Sequence, residues 1–168
     1  DYLEFFARET PSHHYAEMDG VIVTYQQADD LANRFANSLL STGLEKGERF
    51  AYLSKNSIDM AIMFFAASKV GVIPVPLNYR LAPAEWRYII NDAQSRTLFC
   101  QEEFAEGIDQ IRDELDSVSS TILLQGNRSD WISYDSWLGD NTRAPVDIDI
   151  LPSDQLYQMY TSGTTGLP

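Results

Sequence analysis

Four short apolar runs, Phe50–Leu53, Val72–Val75, Leu98–Cys100 and Thr121–Leu124, recur along the chain, and a helix-length stretch separates each from the next. Connections this long cannot be hairpins. They carry the chain back to the same end of a sheet, which makes neighbouring strands parallel and joins them by right-handed crossovers. The fold class that follows is α/β, a doubly wound, mostly parallel sheet flanked by helices. In such a sheet ligands bind beyond the carboxyl ends of the strands. Pro74 falls inside the second run, and because a proline lacks the N–H that a central strand needs, it fits an edge strand better than a central one and weakens the strand pattern here.

The intervening stretches carry their own punctuation. Thr24 followed by Gln27 reads as a capping box, and Ala28, Leu31, Ala32, Phe35, Ala36, Leu39 and Leu40 recur at helical spacing until Gly43. Asn56-Ser57 opens a second helix ending near Gly71, apolar almost all round and so expected between layers. Pro83 suits a first helical turn, with Trp86, Ile89 and Ile90 as the apolar stripe. A longer helix is expected over 103–118, carrying Phe104, Ile108, Ile111 and Leu115 inward and a solvated row of acids outward. Before all of these, residues 3–7 read as a short helix, and Asp19-Gly20 joins His14–Met18 to Val21–Val23 as a two-residue hairpin turn. This divides the chain into an N-terminal helix and hairpin, residues 1–23, and an α/β subdomain, residues 24–168. Residues 129–144 are polar and read as a surface excursion with one short helix over 134–138.

Composition narrows the function. With 44% hydrophobic and 22% charged residues over 168 positions, the chain can bury a core. Its formal net charge of −13 argues against a nucleic-acid backbone or an anionic membrane surface as partner. The apolar stretch 58–73 is interrupted by Asp59, Ser68, Lys69 and Gly71 too soon to span a bilayer, so no transmembrane segment is expected. Cys100, the single cysteine, implies a reducing compartment and hence a cytoplasmic location, and it reads as a small buried hydrophobe. His13 and His14 have no third histidine to complete a metal site, and no metal ligand is assigned.

The chemistry concentrates at the end of the sequence, where Leu156–Tyr160 reads as a further strand running into Thr161-Ser162-Gly163-Thr164-Thr165-Gly166-Leu167-Pro168. Two glycines permit close backbone approach, and four hydroxyls add donors without adding charge. Successive N–H groups of this kind can cradle phosphate oxygens, although the Walker spacing is absent. Composition alone also fits a plain turn or tail, and position after a strand favours the cradle.

Tyr160-Thr161-Ser162-Gly163-Thr164-Thr165-Gly166-Leu167-Pro168 resembles the phosphate-binding signature of the AMP-forming adenylating superfamily, which includes acyl-CoA synthetases, peptide-synthetase adenylation domains and luciferases. Three further stretches are similar to that superfamily in the same order: 24–40, Gly47-Glu48-Arg49-Phe50, and 71–78. The resemblance implies the first portion of the large N-terminal domain of an acyl-adenylate-forming enzyme. Within the superfamily, Pro76-Leu77-Asn78-Tyr79-Arg80-Leu81 and Leu156-Tyr157-Gln158-Met159-Tyr160 look most like fatty-acid CoA ligases. What is implied is an ATP-dependent ligase that adenylates a carboxylic acid and passes the acyl group to coenzyme A, with ATP, Mg2+ and CoA required. By resemblance Thr161, Ser162, Gly163, Thr164, Thr165 and Gly166 bind ATP phosphates, and no acid, base or nucleophile is assigned. The superfamily's acidic metal ligand, adenine pocket and catalytic lysine correspond to positions after 168, so these 168 residues alone are expected not to adenylate. Other readings are an acyl-AMP ligase or amino-acid adenylation domain feeding a carrier protein, and a non-catalytic nucleotide-binding or interaction module.

Overall fold

The structure, a computed structural model, describes residues 2–161. Helix α1 (Tyr2–Glu9) leads into a two-stranded antiparallel hairpin, β1 (His14–Met18) and β2 (Val21–Thr24). Asp19 and Gly20 both take positive φ, 52° and 77°, as the tight turn between right-twisted strands requires. Thr24 then caps α2 (Tyr25–Ser41). Its hydroxyl accepts from Gln27 N at 3.3 Å, and Gln27 Oε1 accepts from Thr24 N at 2.9 Å.

Five parallel strands follow: β3 (Arg49–Leu53), β4 (Ile73–Pro76), β5 (Thr97–Cys100), β6 (Ser120–Leu123) and β7 (Ile132–Ser133), lying in the order β4-β3-β5-β6-β7. Helices α3 (Ile58–Val70), α4 (Pro83–Asp92) and α5 (Glu102–Asp109) make the crossovers, and α6 (Tyr134–Leu138) follows β7. The chain moves from β3 outward to β4, then back past β3 to β5. That reversal is what makes the sheet doubly wound, and β4 is an edge strand as Pro74 demands.

Strand alternation sorts the core into two layers. Phe50, Tyr52, Phe99 and Ile122 point to the face covered by α1, α2, α3 and α6; Ala51, Leu53, Leu98, Cys100 and Leu123 point to the face covered by α4 and α5. On the first face Phe35 is the hub, with ring centroids 5.2 Å from Phe99, 6.2 Å from Phe50 and 4.7 Å from Trp137. On the second, Gly107 lets Trp86 approach so closely that a Cβ there would lie 2.7 Å from its ring. Helix α3 buries Ile62, Met63, Ala66, Ala67 and Val70, while Phe64 and Phe65 stay half-buried on its other side.

Three expectations are corrected. The helix over 103–118 stops at Asp109, and a 3₁₀ turn over Arg112–Glu114 replaces its second half. Asp109 is gripped at that end by Arg112 at 2.8 Å, by Arg128, and by Trp131 Nε1 at 3.0 Å, and the tighter turn still brings Ile111 and Leu115 into the core. The excursion over 129–144 is no mere surface loop. It contributes β7, buries Trp131 and Leu138, and places Trp137 on Phe35 and Phe99, with Trp137 Nε1 donating to Thr42 Oγ1 at 2.8 Å. The third correction concerns residues 156–160 and belongs to the site.

Among the described residues no helix is long and apolar enough to cross a membrane.

Candidate active site

Of the six residues assigned to phosphate binding, only Thr161 is described, and it is exposed. Ser162, Gly163, Thr164, Thr165 and Gly166 lie outside the described residues. What the structure defines is the path by which the chain reaches them.

Leu156–Tyr160 is not a strand. Ile73 N donates to Glu48 O at 2.8 Å and Leu77 N to Tyr52 O at 2.9 Å, so the odd-numbered residues of β4 bond inward to β3. The outward positions are then 74 and 76, and both are proline. The free edge of β4 therefore offers carbonyls and no donors. A segment passing along it can give hydrogen bonds but receive none, and among the described residues it gives one: Gln158 N to Pro74 O at 3.1 Å. An apolar run supplied the strand pattern, but half of the ladder is missing.

Side chains hold the segment instead. Tyr157 sets its ring edge-on to Phe64 of α3, with centroids 6.2 Å apart. Three residues later Tyr160 packs against the opposite layer, beside α4, so the chain crosses the edge of the sheet between them. The Tyr160 hydroxyl donates to Asp92, the last residue of α4, and accepts from Gln158 Nε2 at 2.8 Å. Partial burial, together with the Asp92 carboxylate that accepts its hydrogen bond, holds the Tyr160 phenol far above the usual tyrosine range. On the α3 side, Leu156, Tyr157 and Met159 close one wall of an apolar groove of about 530 Å³ whose other wall is Tyr52, Met60, Phe64, Phe65 and Pro76.

The carboxyl ends of β3 and β5, where the winding reverses, carry a second polar constellation. Gln101 N donates to Leu53 O at 2.9 Å, Gln101 Oε1 accepts from Lys55 N at 2.7 Å, and Lys55 Nζ meets Glu103 Oε2 at 2.7 Å. These contacts tie the two loops together and leave Lys55 neutralised at an exposed position. The described residues contain no group of three or more His, Cys, Asp or Glu side chains placed to hold a metal ion. Cys100 is fully buried, and burial pushes its thiol far above the range at which thiolates form.

Asp92, Gln158 and Tyr160 were not singled out by the sequence as site residues. A signal existed in Ile73-Pro74-Val75-Pro76, where the two prolines share one parity and so face the same edge.

A model described as "AMP-binding enzyme" matches residues 3–168. The long-chain-fatty-acid–CoA ligase FadD13 of Mycobacterium tuberculosis is 38% identical over 151 residues, covering 88% of this chain and 29% of the relative. The fatty acid–[acyl-carrier-protein] ligase ScoC of Streptomyces coeruleorubidus is 33% identical over 165 residues, covering 98% of this chain and 30% of the relative. The crystal structure of the anthranilate CoA ligase AuaEII with anthranoyl-AMP superposes with a TM-score of 0.89 at 26% identity, over 99% of this chain and 33% of that one. The chain thus spans less than a third of the length of these two curated relatives.

Proposed function

Because the chain belongs to the AMP-binding enzyme family, we propose that the full-length protein is an ATP-dependent, AMP-forming acid–thiol ligase that activates a fatty acid and transfers it to coenzyme A. The observation that carries this reading is the sequence Tyr160–Pro168 standing within a family match that runs from residue 3 to residue 168. In the first half-reaction a carboxylate oxygen attacks the α-phosphorus of ATP, which enters with Mg2+ as the substrate complex, and the bond to pyrophosphate breaks. In the second, the CoA thiol attacks the acyl carbonyl and AMP leaves.

Negative charge grows on the departing pyrophosphate, and preorganised donors that bind it lower the barrier. Thr161, Ser162, Gly163, Thr164, Thr165 and Gly166 supply hydroxyl and backbone N–H donors for that purpose. They need no proton-transfer role, and none is assigned to them. The fatty-acid preference draws support from the similarity to a ligase named for long-chain fatty acids and from the Pro76–Leu81 stretch. A cytoplasmic location is part of the proposal.

Carboxylate-dependent ATP–pyrophosphate exchange tests it. The full-length protein exchanges label with fatty acids and not with amino acids, and residues 1–168 alone give no exchange. Failure with every fatty acid tried, or exchange driven by amino acids, refutes the reading. The similarity to ScoC favours one alternative, an acyl-carrier protein as acceptor, and release of an acyl-CoA thioester decides between the two.

A further inference from the structure

We infer that Tyr160, Asp92 and Gln158 form a latch that fixes where the chain leaves the α/β body to enter residues 161–166, which makes Tyr160 a positioning residue for ATP. The ATP role rests on the phosphate-binding reading above.

The need for a latch follows from the edge of β4. A phosphate-binding loop that leaves a sheet strand is aimed by the ladder behind it, but here Pro74 and Pro76 remove every outward donor, and among the described residues the Gln158 N to Pro74 O bond is the one main-chain bond to this edge. One main-chain bond permits the segment to pivot about it. The Tyr160 hydroxyl, one residue before Thr161, removes that freedom by bonding a carboxylate on one side and the Gln158 amide on the other. The Tyr157 ring against Phe64 holds the far side of the sheet edge, so the segment is gripped on both layers within four residues.

Asp92 is itself an unexpected choice. It terminates α4, whose last turn contains no basic residue, so its carboxylate sits at the negative end of the helix dipole. A side chain that is locally unfavourable points to a use elsewhere in the structure. Its carboxylate receives the Tyr160 hydroxyl across 68 positions of sequence. A bond to a charged acceptor is the stronger kind, which suits a single contact that must hold a loop origin in place.

The test uses Tyr160→Phe, Asp92→Ala and Asp92→Asn in the full-length protein, with two readouts. In ATP–pyrophosphate exchange, Tyr160→Phe and Asp92→Ala each raise the KM for ATP about tenfold, the loss of one charge-assisted hydrogen bond, and change the KM for the fatty acid less than about twofold. Asp92→Asn, whose amide oxygen can still accept, stays within about threefold of the wild type, and the double variant Tyr160→Phe/Asp92→Ala is no worse than either single one. Amide hydrogen exchange across residues 161–168 is faster in Tyr160→Phe than in the wild type, while α2 and α3 are unaffected. Unchanged amide exchange overturns the latch. Equal rises in both KM values, as general destabilisation gives, overturn the positioning role. Absence of any exchange activity in the wild-type protein removes the ATP role itself, and the amide readout then decides the latch by itself.

Discussion

Phe35→Ala is the substitution that most directly tests how the sheet and its first helical layer are held together. Phe35 is fully buried, and its ring lies among Phe50, Phe99, Tyr134 and Trp137 at centroid distances of 6.2, 5.2, 6.2 and 4.7 Å. These partners come from β3, β5 and the α6 turn, so the cavity left by truncation touches three separate elements and cannot close by moving one of them. A rigidly lined site falls at the costly end of the Phe→Ala range, about 4–5 kcal/mol. For a chain of this size that corresponds to a fall in Tm of roughly 8–20 °C. Equilibrium urea unfolding is the assay, and an unchanged m-value is required before the difference is read as native-state energy. Phe35→Leu fills most of the space and costs about 1–2 kcal/mol. Pairing Phe35→Ala with Trp137→Ala isolates the ring contact, and a coupling of about 0.5–1.5 kcal/mol is expected. A loss below about 1.5 kcal/mol for Phe35→Ala, or strict additivity with Trp137→Ala, would refute the claim that residues 129–144 are part of the core.

Two further predictions concern titratable groups. Asp154 accepts from Lys46 Nζ at 2.7 Å and from Leu151 N, and these bonds hold its carboxyl below the usual aspartate value of 3.8. A depressed acid stabilises the fold above its unfolded pKa and loses that contribution as pH falls through the folded value, so Tm declines below about pH 4. In Asp154→Asn the decline is shallower and Tm at pH 7 is slightly lower; an identical pH profile in the two proteins contradicts the assignment. The second prediction is kinetic. Cys100 is fully enclosed and its thiol is pushed up by burial, so a thiol reagent at pH 8 labels it only after denaturation, and rapid labelling of the folded chain shows the packing of β5 to be wrong.

How much of this was legible depends on whether the physics was local. The capping box at Thr24, the Asp19-Gly20 turn, the stop at Gly43 and the edge position of β4 each follow from a few neighbouring residues, and each is present in the structure. The α/β class with parallel strands follows from the alternation of short apolar runs with helix-length stretches, whereas the strand order is seen only in the structure. The helix expected through Val118 fails for a tertiary reason. Ile108, Ile111 and Leu115 satisfy an α-helical stripe, yet Asp109 finds Arg112, Arg128 and Trp131 at once, and two of those partners, Arg128 and Trp131, come from beyond the expected helix. Residues 129–144 looked polar because Trp131 and Trp137 are few among many hydrophilic neighbours, while Trp137 packs on Phe35, about a hundred residues away, and Trp131 on Asp109 and Arg112 in the other layer.

The segment before the phosphate signature shows the same division most sharply. The signature is read from its resemblance to a family motif, since glycines and hydroxyls alone also fit a plain turn or tail. Its approach was misread because Leu156–Tyr160 has a strand's composition, and composition says nothing about whether a partner edge has donors to give. That information lay elsewhere in the sequence, in the parity of Pro74 and Pro76. Once the inward bonds of Ile73 and Leu77 fix the register, both prolines must face outward. The same pair blocks a foreign strand from adding to the sheet, since the edge cannot donate to it. An edge protected in this way cannot also guide its own chain through a ladder. The guiding passes to side chains, and the bonds among Gln158, Tyr160 and Asp92 are the consequence.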